Sequence, residues 1–193
     1  MKFLVQGMRA TALMFVAVFS FSVSSSYATT PWTSHGPFFK NIKAIAVSPV
    51  NSNVVYAGAF GAGIFKSTDG GTTWTNSRTG MVNTYIRSVL AITSDIVYAG
   101  SNDGVYKTTN GGISWVTVLT TAKSVRALTM DNNTGYIYAG TFGDGLYKTK
   151  NGGFTWTSIS VTDRSGTDPA RTLSHIWSIA AFASAADAAT TTP

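Results

Sequence analysis

Ser67-Thr68-Asp69-Gly70-Gly71-Thr72-Thr73-Trp74 is written three times in this chain, with small changes. Its successors are Thr108-Thr109-Asn110-Gly111-Gly112-Ile113-Ser114-Trp115 and Thr149-Lys150-Asn151-Gly152-Gly153-Phe154-Thr155-Trp156, and the tryptophans fall 41 residues apart both times. Each copy opens on a hydroxyl (Ser67, Thr108, Thr149) and continues with Asp69, Asn110 or Asn151. A glycine pair ending at Gly71, Gly112 or Gly153 follows, and then Trp74, Trp115 or Trp156. Asp and Asn side chains fold back onto nearby backbone N–H groups and tolerate left-handed backbone angles. Asx-Gly between alternating strands is a strong hairpin signal. The tryptophan opens the next strand and brings a large apolar surface. A fixed period of this size marks a repeat architecture and decides the fold ahead of any local reading.

Working outward, each repeat holds four strand patterns. Strand A is Ile42 to Val47, echoed by Ile86 to Ile92, Val125 to Met130 and Ile176 to Ala181. It alternates in period two, as a half-buried strand does. Strand B is Val54-Val55-Tyr56-Ala57-Gly58, repeated at Ile96 to Gly100 and Tyr136 to Gly140. The Ala-Gly pair signals close approach of a neighbouring backbone. Strand C is Gly63 to Lys66, Gly104 to Lys107 and Gly145 to Lys148, and strand D begins at each tryptophan. Four antiparallel strands in about forty residues make the blade unit of a propeller. The expected fold is all-β: a partial β-propeller of three complete four-stranded blades, with repeats near 42–84, 85–123 and 124–162, plus a fourth incomplete blade. Trp32 sits 42 residues before Trp74 and reads as a last-strand equivalent without its own turn. Three readings stay open: a truncated propeller, a gene fragment, or an open arc completed by another chain. An arc leaves strand edges and blade faces unpaired, which invites self-association.

The turn resembles the Asp-box, or BNR repeat, Ser-x-Asp-x-Gly-x-x-Trp. The first copy matches it in full; the others carry Thr for Ser and Asn for Asp. Families with this box are β-propellers. They include sialidases, xyloglucanase-type glycoside hydrolases, sortilin-type receptors and photosystem II stability/assembly factors. In them the box is a structural corner and not the active site, which the resemblance implies for all twelve residues just named. Tyr-Ala-Gly, Gly-hydrophobic-Tyr-Lys-Thr and Asn-Gly-Gly-x-x-Trp look most like assembly-factor-like and other BNR-repeat proteins. Those factors bind partner protein through an arginine-rich surface, and no dense arginine patch is evident here.

The chain has 193 residues, no cysteine and a formal charge of +6. All eight acids are Asp. Few charges and many Gly, Thr, Ser and aromatic residues argue for strands over solvent-facing helices. The basic residues are spread singly, as ordinary surface charge, and no basic–aromatic cluster points to nucleic acid. Residues 1–28 read as a signal peptide. Lys2 and Arg9 make a positive start, Thr11 to Val23 is an apolar run too short for a comfortable span, and Ser26-Tyr27-Ala28 is a small-x-small cleavage site. The expectation is export to the periplasm or outside the cell, with no stable membrane span after cleavage. Residues 29–181 then hold the blades and 182–193 an Ala/Thr-rich tail. Without cysteine, packing alone must stabilise the exported chain.

Alternating strands divide the loops between two faces, and in the resembling families the ligand face is that of the B–C and D–A loops. On it the candidate residues are Phe60, Asn102, Asp103, Phe142 and Asp144, with Arg164 and Arg171 in a D–A loop about twice the length of its fellows. Loops that vary on a regular scaffold commonly bind. Exposed, Phe60 and Phe142 would stack on a sugar or anchor a partner; buried, they plug a blade–blade contact. An Asp before Gly, as at 103 and 144, is first a turn residue. Arg87 and Arg126 recur at one strand A position, where repeat geometry accounts for them.

A sialidase-like site needs an arginine cluster, a Tyr–Glu nucleophile pair and an acid/base Asp. Without Glu that pair cannot be built. A xyloglucanase-type site needs two carboxylates across a cleft, for which Asp103 and Asp144 are repeat-equivalent candidates. No Gly-x-Ser-x-Gly elbow is present, and His35 and His175 stand in no metal-ligand spacing. The expectation is therefore a non-catalytic scaffold without metal or cofactor that binds a protein or glycan. The alternative is a fragment of a sialidase- or xyloglucanase-like glycoside hydrolase.

Overall fold

The computed structural model describes residues 36–37, 40–121, 123–159 and 175–179. All belong to one of the chain's two compact units, residues 34–193. Among the described residues there are twelve strands and no helix. They form three four-stranded antiparallel meanders. Blade 1 is β1 (Ile42–Ser48), β2 (Asn51–Ala59), β3 (Gly63–Ser67) and β4 (Thr75–Asn76). Blade 2 is β5 (Ser88–Ala91), β6 (Val97–Gly100), β7 (Gly104–Thr108) and β8 (Val116–Thr120). Blade 3 is β9 (Val125–Met130), β10 (Ile137–Thr141), β11 (Leu146–Thr149) and β12 (Thr157–Ile159). The first strands touch in series, β1 against β5 and β5 against β9, so they are the inner strands of a partial propeller.

The repeated stretch folds as three equivalent corners. In the first, Ser67 Oγ donates to Asp69 Oδ1 at 2.7 Å and accepts from Gly71 N at 2.8 Å, while Asp69 Oδ1 accepts from Thr73 N at 2.8 Å. Thr108 with Asn110, and Thr149 with Asn151, repeat this pattern with Gly112 and Gly153 as donors. Asparagine reverses the remaining bond: Thr73 Oγ1 donates to Asp69 Oδ2 in the first corner, whereas asparagine Nδ2 donates to Ser114 Oγ at 2.9 Å or to Thr155 Oγ1 at 2.8 Å. Gly70 and Gly71 take φ of 71° and 94°, and the later pairs follow them into the left-handed region that disfavours side chains. The opening hydroxyls are buried, at 1%, 1% and 2% exposure, so each corner satisfies its own polar groups where water does not reach.

The apolar core lies between blades. One cluster joins Val54, Tyr56 and Ile64 of blade 1 to Ile86, Val97, Tyr106 and Trp115 of blade 2. A second joins Tyr98 and Val105 to Val125, Ile137 and Ala139 of blade 3. The Ala-Gly pair does meet a close neighbour, but at Gly58 it is side chain and not the expected backbone: a Cβ there would lie 2.6 Å from Ile86 Cγ2. At Gly100 it would lie 2.8 Å from the Val125 carbonyl oxygen.

Two boundaries differ from the sequence expectation. Strand D starts one residue after each tryptophan, because at Trp115 the backbone N–H is already bonded to Thr79 O of the preceding D–A loop at 2.8 Å. Strand A of blade 2 enters regular pairing only at Ser88, since Ile86 N donates back to Ala59 O of blade 1 at 3.1 Å. Of the fourth blade, residues 175–179 are described. Phe142 and His175 form an antiparallel bridge and Ile176 N donates to Thr141 O at 2.7 Å, the counterpart of Ile86. The proposed signal peptide, Trp32, the insertion with Arg164 and Arg171, and the tail lie outside the described residues.

Candidate functional site

The corners pair with the A–B loops, Gly70 N donating to Asn53 O and Gly111 N to Asp95 O. The B–C loops pair with the D–A loops on the opposite side, through Gly61 N to Thr84 O and Thr121 N to Asp103 O. The two loop faces are thus divided as the alternation of strands requires.

On the second face, Phe60 and Phe142 are half-buried and belong to blade–blade contacts. Phe60 meets the Tyr85 ring edge-on at 4.8 Å and carries the Arg87 guanidinium over its face, also at 4.8 Å. Phe142 meets His175 at 4.3 Å and Trp177 at 4.9 Å. The Arg126 guanidinium lies 4.2 Å from both the Phe142 and the Trp177 ring centres. Asn102 accepts from Arg87 Nε at 2.6 Å. Asp103 and Asp144 are held in turns: the Asp103 carboxylate accepts from Ser101 Oγ at 2.6 Å, and Asp144 N donates to Thr141 Oγ1 at 2.9 Å.

These contacts converge on a feature that residue-by-residue reading missed. Lys43, Arg87, Arg126 and Trp177 occupy the second position of four successive inner-strand segments and together line a cavity of about 170 Å³. Two guanidiniums are thereby held side by side. Burial first, and the neighbouring Arg126 charge second, hold the Arg87 pKa below its ordinary value. Aromatic faces offset part of that repulsion by cation–π attraction. No carboxylate among the described residues forms an ion pair with either arginine. Their Nε atoms are turned to Asn102, at 2.6 Å, and Ser124, at 3.4 Å. Two arginines and a lysine fall short of the dense arginine patch that the sequence lacks; what the fold adds is that these repeat-equivalent positions line one cavity. The readable signal was the shared repeat position of Lys43, Arg87 and Arg126.

Among the described residues no three His, Cys, Asp or Glu side chains gather as a metal site, and no helix is long and apolar enough to cross a membrane.

No protein-family model and no curated protein matches the chain. Solved structures do. An ancestral GH74 enzyme is 25% identical with a TM-score of 0.56, over 65% of this chain and 19% of its own. The extracellular domain of a hybrid two-component system from B. thetaiotaomicron is 19% identical with a TM-score of 0.56, over 71% of this chain and 18% of its own. YCF48 bound to a D1 peptide is 17% identical over 61% of this chain and 40% of its own, and its TM-score of 0.47 carries no argument. The first two neighbours are β-propellers, in agreement with the three blades. This chain spans about a fifth of the length of the first two.

Proposed function

We propose that this protein is an exported, non-catalytic propeller scaffold that holds an anionic partner, protein or glycan, on its B–C and D–A loop face. The observation that carries the reading is the row Lys43, Arg87 and Arg126 around one cavity, with the guanidiniums stacked on Phe60, Phe142 and Trp177. Planar guanidiniums suit carboxylate, and a ring beside them suits a sugar or a side chain. An assembly-factor-like role, binding a protein segment, is the form of this reading that the sequence motifs favour. Export rests on the reading of residues 1–28 as a signal peptide; recovery of the exported protein beginning at Met1 would refute it.

The test is titration of tryptophan fluorescence, with Trp177→Phe as the control that assigns the signal, against an acidic peptide and an oligouronate. Binding that weakens about tenfold in Arg87→Gln or Arg126→Gln supports the scaffold, and titrations unchanged by both variants sink it. The second reading, a glycoside-hydrolase-like activity, draws on the 25% identity to a GH74 enzyme. Hydrolysis from a fluorogenic glycoside panel, abolished by Asp103→Ala or Asp144→Ala, would favour it.

A further inference from the structure

The two blade–blade junctions inside the chain share one set of contacts. Between blades 1 and 2, Lys66 Nζ donates to Gly111 O at 2.8 Å and Tyr56 OH to Ser94 O at 2.7 Å. Between blades 2 and 3, Lys107 Nζ and Tyr98 OH both donate to Gly152 O, at 2.8 and 3.0 Å. The corresponding donors of blade 3 are Lys148 and Tyr138. Lys148 Nζ rests 5.1 Å over the Tyr136 ring, and neither donor reaches a carbonyl among the described residues. The receiving half shows the converse. Val89 and Ala91 of β5 pack on the first core, and Leu128 and Met130 of β9 on the second. The same positions of β1, Ile45 and Val47, are 65% and 51% exposed, beside Val50 at 69%.

We infer that the exposed face of blade 1 docks head to tail on the outer face of blade 3 in a second copy of this chain. The interface inside the chain specifies the occupant twice: a corner carbonyl for the lysine, and two apolar β residues for the core. Lys148 of one copy then donates to Gly70 O of the next. Residues 175–179 hold part of this place, with Ile176 and Ile179 against Gly140 as Ile86 and Val89 lie against Gly58. Ile42 and Ile45 repeat that Ile-x-x-Ile spacing, so β1 of the second copy exchanges with residues 175–179. Lys43 of the second copy takes the position of Trp177, and the cation row runs on across the junction. A head-to-tail contact uses different patches on the two copies, so blocking each patch separately is informative.

Sedimentation velocity of the full chain tests this. The expected result is a weight-average mass that rises with concentration above that of one chain. Ile45→Lys/Val47→Lys and Lys148→Glu/Tyr138→Ala each sediment as monomers, and their mixture forms a dimer through the one intact junction. Ile176→Asp loosens the competing segment and tightens association about tenfold. A monomer at about 100 μM, or two blocked variants that stay apart on mixing, overturns the proposal. Variants that both still self-associate also overturn it, because they place the contact elsewhere. Anion binding at nanomolar protein reads out separately, so the two proposals fail independently.

Discussion

Ser77→Ala should be among the most damaging single-atom deletions in this protein. Ser77 is 7% exposed at the junction of blades 1 and 2. Its Oγ donates to Gly112 O at 2.6 Å and accepts from Trp115 Nε1 at 3.4 Å, both in buried surroundings. Removing it strands a buried carbonyl and a buried indole N–H. A stranded buried group costs about 1–3 kcal/mol, and the longer bond lies at the low end, so about 2–3 kcal/mol in total is expected. The next junction supplies the internal control. There Val118 occupies the place of Ser77, against Gly153, and Trp156 Nε1 is buried with no partner. Val118→Ser restores an acceptor for that indole but gives up apolar burial, so it should fall within about 1 kcal/mol of neutral. Urea unfolding followed by tryptophan fluorescence measures both. The account fails if Ser77→Ala loses less than about 0.5 kcal/mol, or if Val118→Ser is the more damaging of the two.

Other outcomes follow from the same geometry. Gly100→Ala should destabilise more than Gly58→Ala, by about 1 kcal/mol in thermal unfolding, because a methyl at 100 meets the Val125 backbone and one at 58 meets side chains that can rotate. Equal losses would show that blade spacing relaxes freely. Hydrogen bonds from the Thr73 hydroxyl, the Thr73 N–H and Ser67 hold the Asp69 pKa at about 2, below the usual 3.8. A carboxylate with a depressed folded pKa stabilises above its unfolded pKa and loses that contribution as pH falls through the folded one. The melting temperature of the wild type should therefore drop more steeply between about pH 4 and pH 2 than that of Asp69→Asn, which keeps the asparagine form of the corner. Parallel pH profiles would contradict this, because Asp131, whose pKa is also lowered by hydrogen bonds from Thr134 and Asn133, is common to both proteins. Phe142→Ala should weaken anion binding without removing a charge, because Arg126 loses a ring 4.2 Å away. Unchanged affinity would show that the ring does not position it.

Most of the fold was legible because a corner, two glycines and a tryptophan at constant spacing admit few arrangements. Tyr56-Ala57-Gly58 announced a close neighbour, and Ile86 and Val89 are that neighbour. The candidate site was legible only in part. Phe60, Phe142 and Asn102 were picked out as loop residues, but of their partners Arg126 lies within β9, Arg87 one residue ahead of β5, and Trp177 in residues 175–179. A period-two pattern tells which residues share a face of one strand. It does not tell that three such faces turn toward a common line. Ser77 carried no signal either, since a serine early in strand D is unremarkable until Gly112 and Trp115 of the next blade arrive beside it.

Each corner pairs its hydroxyl, carboxylate or amide, and N–H groups within eight consecutive residues. Nothing in that pairing depends on how many blades stand on either side. Such a unit can be copied by gene duplication, because each hairpin satisfies its own polar groups through local contacts. Lineages carrying it are free to change length in whole steps of 41 residues, and the demand for compatibility passes from the corner to the few side chains, such as Ser77 and Val118, at each new seam.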